Sequence, residues 1–219
     1  ENLVAECEDM ERATSNLETT AQRIRASFAA EDAAREKALR MGREVIRHSA
    51  NSIRAIHRGE FDSARESLAS ARQLVDEAKA SVADHLEMKH AGFIHDAQKE
   101  YAEGSITLAL VLNQPLPTPE ELGVAYPAYL HGLAEAVGEM RRHLLDILRK
   151  NDTDGCEELL SYMDDIYGVL VTMDFPDALT FGLRRATDVL RSILEKTRGD
   201  LTIAVRQRDL EEKLDRLNK

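Results

Sequence analysis

The fold class is decided by the stretch Phe93-Ile-His-Asp-Ala-Gln-Lys-Glu-Tyr-Ala-Glu-Gly-Ser-Ile-Thr-Leu-Ala-Leu-Val-Leu112, which runs directly into Asn113-Gln-Pro-Leu-Pro-Thr-Pro119. The first segment carries apolar residues at helical spacing, whereas the second has three prolines in seven residues and is expected to be a loop. Thr118 is then placed to cap a short helix that Gly123 closes. A further helix is predicted from about Pro127 to Lys150, so the centre of the chain is expected to consist of helices joined by this loop.

Helical periodicity also extends outward through the rest of the 219 residues. Glycine (11) and proline (5) are scarce, and no segment alternates in the manner of a half-buried strand. Further helices are predicted over about Leu3 to Ser27, Glu31 to His57, Phe61 to Ala83, Asp154 to Thr172, Pro176 to Thr197, and Asp200 to the C-terminus. We therefore expect residues 1–219 to form one all-α domain, a single bundle of about seven antiparallel helices.

The composition excludes several classes of protein. With 29 basic and 40 acidic residues the net charge is −11, which disfavours a generally basic protein that coats nucleic acid. No apolar run is long enough to span a bilayer and no signal peptide is visible, so we expect no membrane partner. Two cysteines, Cys7 and Cys156, cannot make a disulfide framework and favour a reducing, cytoplasmic location. The chain begins with Glu1 rather than Met, so we expect a few residues to precede it.

Two predicted helices each carry a pair of carboxylates. Glu100 and Glu103 lie three residues apart, and Glu135 and Glu139 lie four apart, so each pair shares one helix face. If the two helices pack antiparallel across the proline-rich loop, the pairs can meet, and four oxygen ligands are typical of Mg²⁺ or Mn²⁺. The alternative is that these are solvated acidic faces. Both pairs lie away from the main apolar stripes, so we expect any site to line an open cavity.

A basic stripe is predicted on the helix that ends near His57. Its arginines recur at intervals of three, four and seven residues, at Arg40, Arg43, Arg47, Arg54 and Arg58. Only Glu44 is acidic within this segment, and at 1.5 Å per residue the stripe is ~27 Å long. Such a stripe can follow a nucleic-acid backbone, and the alternative is a salt-bridged surface helix. Two weaker basic runs are interrupted by acidic residues. One is Arg141-Arg142-His143 with Arg149-Lys150, and the other is Arg184-Arg185 with Arg191 and Arg198.

The sequence contains no complete motif for a different metal site or a different catalytic mechanism. Glu87-x-x-His90 matches the Glu-x-x-His unit of di-iron helical bundles, but that architecture needs two such units and the sequence holds one. There is no phosphate-binding glycine loop, no Gly-x-Ser-x-Gly elbow and no His-Glu-x-x-His motif.

The sequence resembles the translin family, most closely its translin-associated factor X branch. The resemblance is carried by Lys99-Glu100-Tyr101-Ala102-Glu103 together with Tyr129-Leu-His-Gly-Leu-Ala-Glu-Ala-Val-Gly-Glu-Met140. It extends to Arg40-x-x-Arg43-x-x-x-Arg47, Ile53-Arg54 and Arg198-Gly199, and covers most of the chain after about residue 35. The compact loops are typical of a prokaryotic or archaeal homologue.

This resemblance implies an all-helical subunit that assembles into a hollow, octamer-like shell and binds single-stranded RNA or DNA. The factor X branch is a Mg²⁺-dependent endoribonuclease, and its acidic catalytic positions fall on Glu100, Glu103 and Glu135, with Glu139 the fourth candidate. Residue 135 departs from the aspartate of the animal factor X proteins, which keeps the ligand type but lengthens the side chain.

Together these observations predict a metal-dependent endoribonuclease that cleaves short single-stranded RNA, or DNA, inside a homo-octameric shell. Glu100, Glu103 and Glu135 are expected to bind Mg²⁺ or Mn²⁺, with Glu139 as a fourth ligand or a water-orienting base. The residues expected to hold backbone phosphates are Arg43, Arg47, Arg54 and Arg198. Two alternatives are a non-catalytic assembly protein that binds single-stranded RNA or DNA, and a structural scaffold that binds neither.

Overall fold

A computed structural model describes residues 14–85, 88, 91–150, 152–153 and 155–217. Within these ranges the chain forms eight helices and no strand, so the predicted all-α class is confirmed. The helices are α1 (Leu17–His57), α2 (Phe61–Ser81), α3 (Gly92–Val111), α4 (Pro119–Leu122), α5 (Tyr126–Leu148), α6 (Cys156–Leu170), α7 (Asp177–Thr180) and α8 (Leu183–Leu217). No helix in the described part of the chain is both long and apolar enough to cross a membrane.

The N-terminal helix is longer than predicted. The expected break between Ser27 and Glu31 is wrong, because α1 continues through both residues. The Ser27 hydroxyl donates to the Glu31 carboxylate (3.3 Å) inside the helix, and the intervening Ala29 and Ala30 favour continuation. Residues singled out in the sequence that lie outside the described part are Leu3, Cys7, Glu87, His90 and Asp154.

The C-terminal boundaries also differ from the prediction. The expected helix over Pro176–Thr197 is interrupted, because Phe181 and Gly182 both have positive φ angles (53° and 80°) and end α7. The expected break before Asp200 is absent, and α8 runs through Gly199. Glycine inside a helix costs about 1 kcal/mol, and here Arg141 of α5 donates to Asp200 (2.7 Å), which holds that part of α8 in place.

Helices α3 and α5 run in the same direction, so the predicted ligands meet without the antiparallel packing that was considered as a condition for this pair. The backbone N–H of Ala125, at the start of α5, donates to Gln98 in the first half of α3 (2.8 Å). Further along both helices, a Cβ placed on Gly132 would lie only 2.8 Å from the Cβ of Ala102. The contacts therefore advance along the two helices together.

The connection between α3 and α5 explains this direction, because it returns along α2 before α5 begins. Thr118 and Glu121 form a capping box at the start of α4, as the sequence predicts. The Arg72 side chain donates to the carbonyl of Glu121 (2.5 Å), and Lys79, two turns later on α2, donates to the carbonyl of Gly123 (2.7 Å). The chain is thus carried back to the N-terminal end of α3.

The backbones of α3 and α5 meet closely at Gly132. A Cβ at this position would also lie 3.0 Å from the backbone nitrogen of Glu103. Glycine is required at such an approach because no side chain fits between the two helices. The contact brings the middle of α3, which carries Glu100 and Glu103, against the part of α5 that carries Glu135.

Candidate metal centre

Three predicted ligands come together between α3 and α5. Glu100, Glu103 and Glu135 each place one carboxylate oxygen so that the three atoms lie within 4.8 Å of one another. Glu103 is only 8% exposed, whereas Glu100 and Glu135 are half-buried. The reason is that α1 and α5 both pack against α3, which buries the side of α3 that carries Glu103.

A lysine already neutralises part of this cluster. The Lys99 ammonium lies 2.8 Å from Glu135 and 3.2 Å from Glu100. Burial acts to lower the pKa of Lys99, but its hydrogen bonds and charge interactions with the two carboxylates raise the pKa overall. The arrangement therefore favours a cation between Glu100 and Glu135.

Glu103 is the most perturbed acid of the cluster. Burial, followed by the negative charges of Glu135, Glu100 and Glu139, raises the pKa of Glu103 to about 8, and Lys99 offsets only part of this effect. The carboxyl group is therefore mostly protonated at neutral pH when Lys99 is the only cation at the site. A divalent ion bound by the three oxygens would displace that proton.

The fourth predicted acid, Glu139, lies beside the cluster and is held by His57. The Nε2 atom of His57 lies 2.5 Å from a carboxylate oxygen of Glu139, and the His57 side chain is 5% exposed. Arg142 approaches the same carboxylate at 3.7 Å. The Nδ1 atom of His57 is buried without a hydrogen-bond partner among the described residues.

Sequence reasoning assigned no role to His57 or Lys99. His57 and Glu139 are 82 residues apart and belong to helices whose packing no spacing reveals. Lys99 adjoins Glu100 in the sequence, but its position between two carboxylates from different helices depends on the approach of α3 and α5. The one available signal was the presence of Lys99 inside the Lys-Glu-Tyr-Ala-Glu block.

The predicted basic stripe lies on the surface of α1. All of its arginines are exposed, namely Arg40, Arg43, Arg47, Arg54 and Arg58. Arg47 pairs with Glu44, and Arg54 donates to Asn51 (2.6 Å), whereas Arg40 and Arg43 have no ion-pair partner in the described part of the chain. Arg54 precedes His57 by three residues, so the stripe reaches the helix edge that contacts Glu139.

Arg198 has a different environment from the stripe. Its guanidinium donates to both carboxylate oxygens of Asp164 at 2.8 Å and to Glu195 at 2.8 Å, and these interactions raise its pKa. The pair with Asp164 links α8 to α6. No contact within the described ranges joins Arg198 to the carboxylate cluster.

A pocket of about 520 Å³ opens beside the carboxylate cluster, between α5 and α8. Glu103 and Glu135 form part of its wall, and the exposed Arg185 lies on the α8 side. In the sequence, Arg185 belonged to one of the weaker basic runs. Its position beside two of the predicted metal ligands depends on how α8 packs against α5.

The chain is similar to several known proteins, although no family model matches it. An uncharacterized protein of Methanocaldococcus jannaschii is 29% identical over 192 residues, which cover 87% of this chain and 85% of that protein.

Similar solved structures support a more specific conclusion. The structure of AfC3PO in complex with duplex RNA superimposes with a TM-score of 0.79 at 32% identity, over 91% of this chain and 100% of that chain. The crystal structure of AfC3PO gives a TM-score of 0.79 at 33% identity, over 86% and 98%. Apo-NeC3PO, at 20% identity, shares the fold with a TM-score of 0.72, over 89% and 98%. Because AfC3PO is an archaeal C3PO of the translin type, the chain belongs to the translin family.

Proposed function

We propose that this protein is a metal-dependent endoribonuclease that binds and cleaves short single-stranded RNA. The observation that carries the proposal is the cluster of Glu100, Glu103 and Glu135, whose oxygens lie within 4.8 Å of one another. The similarity to AfC3PO, whose structure was determined with duplex RNA, supports RNA as the ligand. We place the activity in the cytoplasm, consistent with the low cysteine content.

The carboxylate cluster fits Mg²⁺ or Mn²⁺. It offers three hard oxygen donors, the donor type that both ions prefer. The ammonium of Lys99 between two of these donors supports the proposal, because it lies where a cation is favoured. When bound, the ion supplies an activated water molecule and a counter-charge for the phosphodiester group.

Glu139 and His57 complete the catalytic arrangement. We assign Glu139 the role of fourth ligand or of base that orients the attacking water. Its bond to His57 Nε2 (2.5 Å) holds the carboxylate in one orientation beside Glu103. A general base must be positioned before its pKa matters, and the buried histidine provides that positioning.

The basic stripe provides a path for the RNA backbone toward this site. We assign phosphate contacts to Arg43, Arg47, Arg54 and Arg198. The first three are exposed on α1, and the stripe ends beside the residue that contacts Glu139. Arg198 is half-exposed and would add a phosphate contact while remaining paired with Asp164.

Substitution of the metal ligands tests the catalytic proposal. We expect Glu100→Gln and Glu135→Gln each to lower the rate of RNA cleavage at least about 100-fold, because ion binding is worth several kcal/mol in the transition state. The measurement is cleavage of an end-labelled RNA oligonucleotide with Mg²⁺. Asp96→Asn is the control, since it removes an exposed carboxylate of α3 outside the cluster. Cleavage at the wild-type rate by the two glutamate variants would contradict the assignment.

The main alternative is an RNA- or DNA-binding assembly protein without catalysis. Filter binding followed by gel analysis, with Mg²⁺, Mn²⁺ or EDTA, distinguishes the two functions. A nuclease cuts the RNA only when the ion is present, whereas the alternative binds and leaves it intact under all conditions. Single-stranded RNA, duplex RNA and single-stranded DNA are compared in the same assay, because the structure of AfC3PO was determined in complex with duplex RNA.

Charge reversal on α1 tests the RNA path separately. We expect Arg43→Glu with Arg47→Glu to weaken RNA binding and to flatten its salt dependence, since fewer phosphates are neutralised. Arg23→Glu with Arg35→Glu is the matched control, with the same change of charge on exposed positions of α1 outside the stripe. The measurement is RNA affinity at several salt concentrations. An unchanged slope in the Arg43 and Arg47 variant would remove the stripe from the RNA path.

A further inference from the structure

The pocket beside the carboxylate cluster is lined by both charged and apolar side chains, as a binding site for a single nucleotide requires. Its volume of about 520 Å³ lies in the range of small-ligand sites. One wall carries Glu103 and Glu135, the α8 side carries Arg185, and apolar side chains including Val189 and Ile193 line the rest. A nucleotide likewise has a flat, largely apolar base joined to an anionic phosphate.

Phe181 supplies an aromatic surface at this pocket. Its ring stacks on the His95 ring with a centroid distance of 4.4 Å and an angle of 6° between the planes. His95 in turn meets His131 edge-on at 5.3 Å, and His131 bonds to the carbonyl of Thr180 at 2.9 Å. These contacts support one side of the Phe181 ring, while the residue remains 42% exposed.

The backbone at Phe181 is unusual for a phenylalanine. Its φ angle of 53° lies in the left-handed region, which bulky residues rarely adopt. The backbone N–H of Phe181 donates to the carbonyl of Asp177 (2.7 Å), and Gly182 continues the turn with φ of 80°. This turn places the ring against His95 and at the pocket, where a residue of ordinary conformation would continue α7.

We propose that Phe181, supported by His95, is a stacking platform for one nucleobase of the RNA strand, next to the phosphate that is cleaved. The proposal deepens and rests on the proposed function, because the position of the phosphate is taken from the carboxylate cluster. Arg185 lies where it can pair with the neighbouring phosphate. A second copy of this chain is a poorer occupant, since an apolar protein surface would bury the Arg185 guanidinium without a polar partner.

Binding measurements on variants of Phe181 test the platform. Ca²⁺ replaces Mg²⁺, so that affinity for an RNA oligonucleotide is measured apart from cleavage. We expect Phe181→Ala to weaken binding about tenfold, as is typical for loss of one base-stacking side chain, and Phe181→Tyr to retain most of the affinity. Phe175→Ala is the control, because Phe175 is 60% exposed in the preceding loop and does not line the pocket. Unchanged affinity in Phe181→Ala would overturn the proposal.

Oligonucleotides with a single abasic site identify the base. When the abasic site is moved along the RNA, the penalty of Phe181→Ala should disappear at one position, because no base remains to stack there. The same penalty on every oligonucleotide would show a structural role, and a change in the solution mass of Phe181→Ala would show a contact between copies. Either result overturns the proposal.

The same experiments separate the stacking platform from the proposed nuclease. A base-specific penalty in a protein that never cuts RNA would keep the platform and reject the catalytic function. Cleavage that depends on Glu100 but not on Phe181 would support the catalytic function and reject the stacking platform. The chain contains no tryptophan, so quenching of 2-aminopurine in the RNA provides a direct optical measure of stacking.

Discussion

Glu103 shows how one buried side chain can link protonation to ion binding. It is buried where α1 and α5 pack against α3, and this burial, followed by the charges of the neighbouring carboxylates, raises its pKa to about 8. The unfolded chain, by contrast, would hold this group near the ordinary glutamate pKa of about 4.3. Folding therefore favours the protonated form, and the charged form becomes favourable only when a cation compensates for it.

This linkage predicts a pH-dependent stability in the metal-free protein. The stabilising effect of the protonated Glu103 is fully present below the unfolded pKa and is lost as the pH rises through about 8. In EDTA we expect the melting temperature to fall between pH 5 and pH 9, with a contribution of at most about 1.4 kcal/mol per pH unit from this group. We expect Glu103→Gln to flatten the profile, because glutamine resembles the protonated acid.

Excess Mg²⁺ provides the control for this prediction. A bound divalent ion compensates the charge of Glu103, so the loss of stability of the wild-type protein at high pH should be smaller than in EDTA. Parallel pH profiles for the wild-type protein and Glu103→Gln in EDTA would show that Glu103 is not the group responsible.

For single residues, the sequence predicts which carboxylates form the cluster better than it predicts how deeply they are buried and what they contact. Helical spacing places Glu100 and Glu103 on one face of α3, and the family resemblance adds Glu135 from a second helix. The burial of Glu103 was not predictable, because it depends on α1 and α5 covering a face that looks polar in the sequence. The contact of His57 with Glu139 depends on the same packing.

Among the helices, local signals predict where most of them lie but not how they are oriented. The proline-rich loop and the capping box at Thr118 follow from the chemistry of a few adjacent residues. The direction of α5 does not, because a connection of this length can either reverse the chain or return along α2. Likewise, the continuity of α8 through Gly199 depends on contacts with other helices, including the bond from Arg141 to Asp200.

The close approach of α3 and α5 predicts that a side chain at position 132 destabilises the protein. In Gly132→Ala the new Cβ would lie 2.8 Å from the Cβ of Ala102, so the helices must separate, and we expect a loss of about 1–3 kcal/mol in unfolding free energy. The same shift should weaken Mg²⁺ binding, since Glu103 and Glu135 lie on opposite sides of the contact. Chemical unfolding and calorimetric titration measure the two effects.

Gly199→Ala is the matched control for this substitution. It also replaces a glycine inside a helix, but its Cβ meets nothing within 4 Å. We expect it to be stabilising by up to about 1 kcal/mol, because alanine is the better helix former. If Gly132→Ala is equally stabilising and binds Mg²⁺ normally, the helix contact does not set the ligand spacing.

Across the whole molecule, charge and apolar surface are distributed unevenly. The net charge of −11 coexists with a segment from Arg40 to Arg58 that has five arginines and one glutamate, so the acidic total does not exclude a confined RNA path. The C-terminal half of α8 carries an exposed apolar stripe, formed by Ile203, Leu210, Leu214 and Leu217. These residues recur at intervals of seven, four and three, so they lie on one face that no other described helix covers.

We propose that the chain assembles into a homo-octameric shell and that this stripe forms an interface between copies of the chain. The expected solution mass is about eight times the chain mass of 24.5 kDa. Leu210→Glu with Leu214→Glu should lower the mass without unfolding the chain, because both leucines are at least half exposed in the protomer. Light scattering after size-exclusion chromatography measures the mass, and circular dichroism checks the fold.

Thr202→Glu with Lys213→Glu is the control for the assembly experiment. Both positions are exposed on α8 but lie outside the apolar stripe, and the change adds at least as much negative charge. We expect this variant to keep the wild-type mass. Dissociation of both variants would indicate charge repulsion, and dissociation of neither would exclude the stripe as an interface.

The position of Lys99 has a consequence for the protein when no divalent ion is bound. Lys99 and the proton on Glu103 together supply most of the countercharge that the cluster needs, so folding does not have to wait for a metal. The chain could be synthesised and assembled in a dormant form while divalent ions are scarce. Ion supply would then determine when the protein becomes active, without any step of unfolding or degradation.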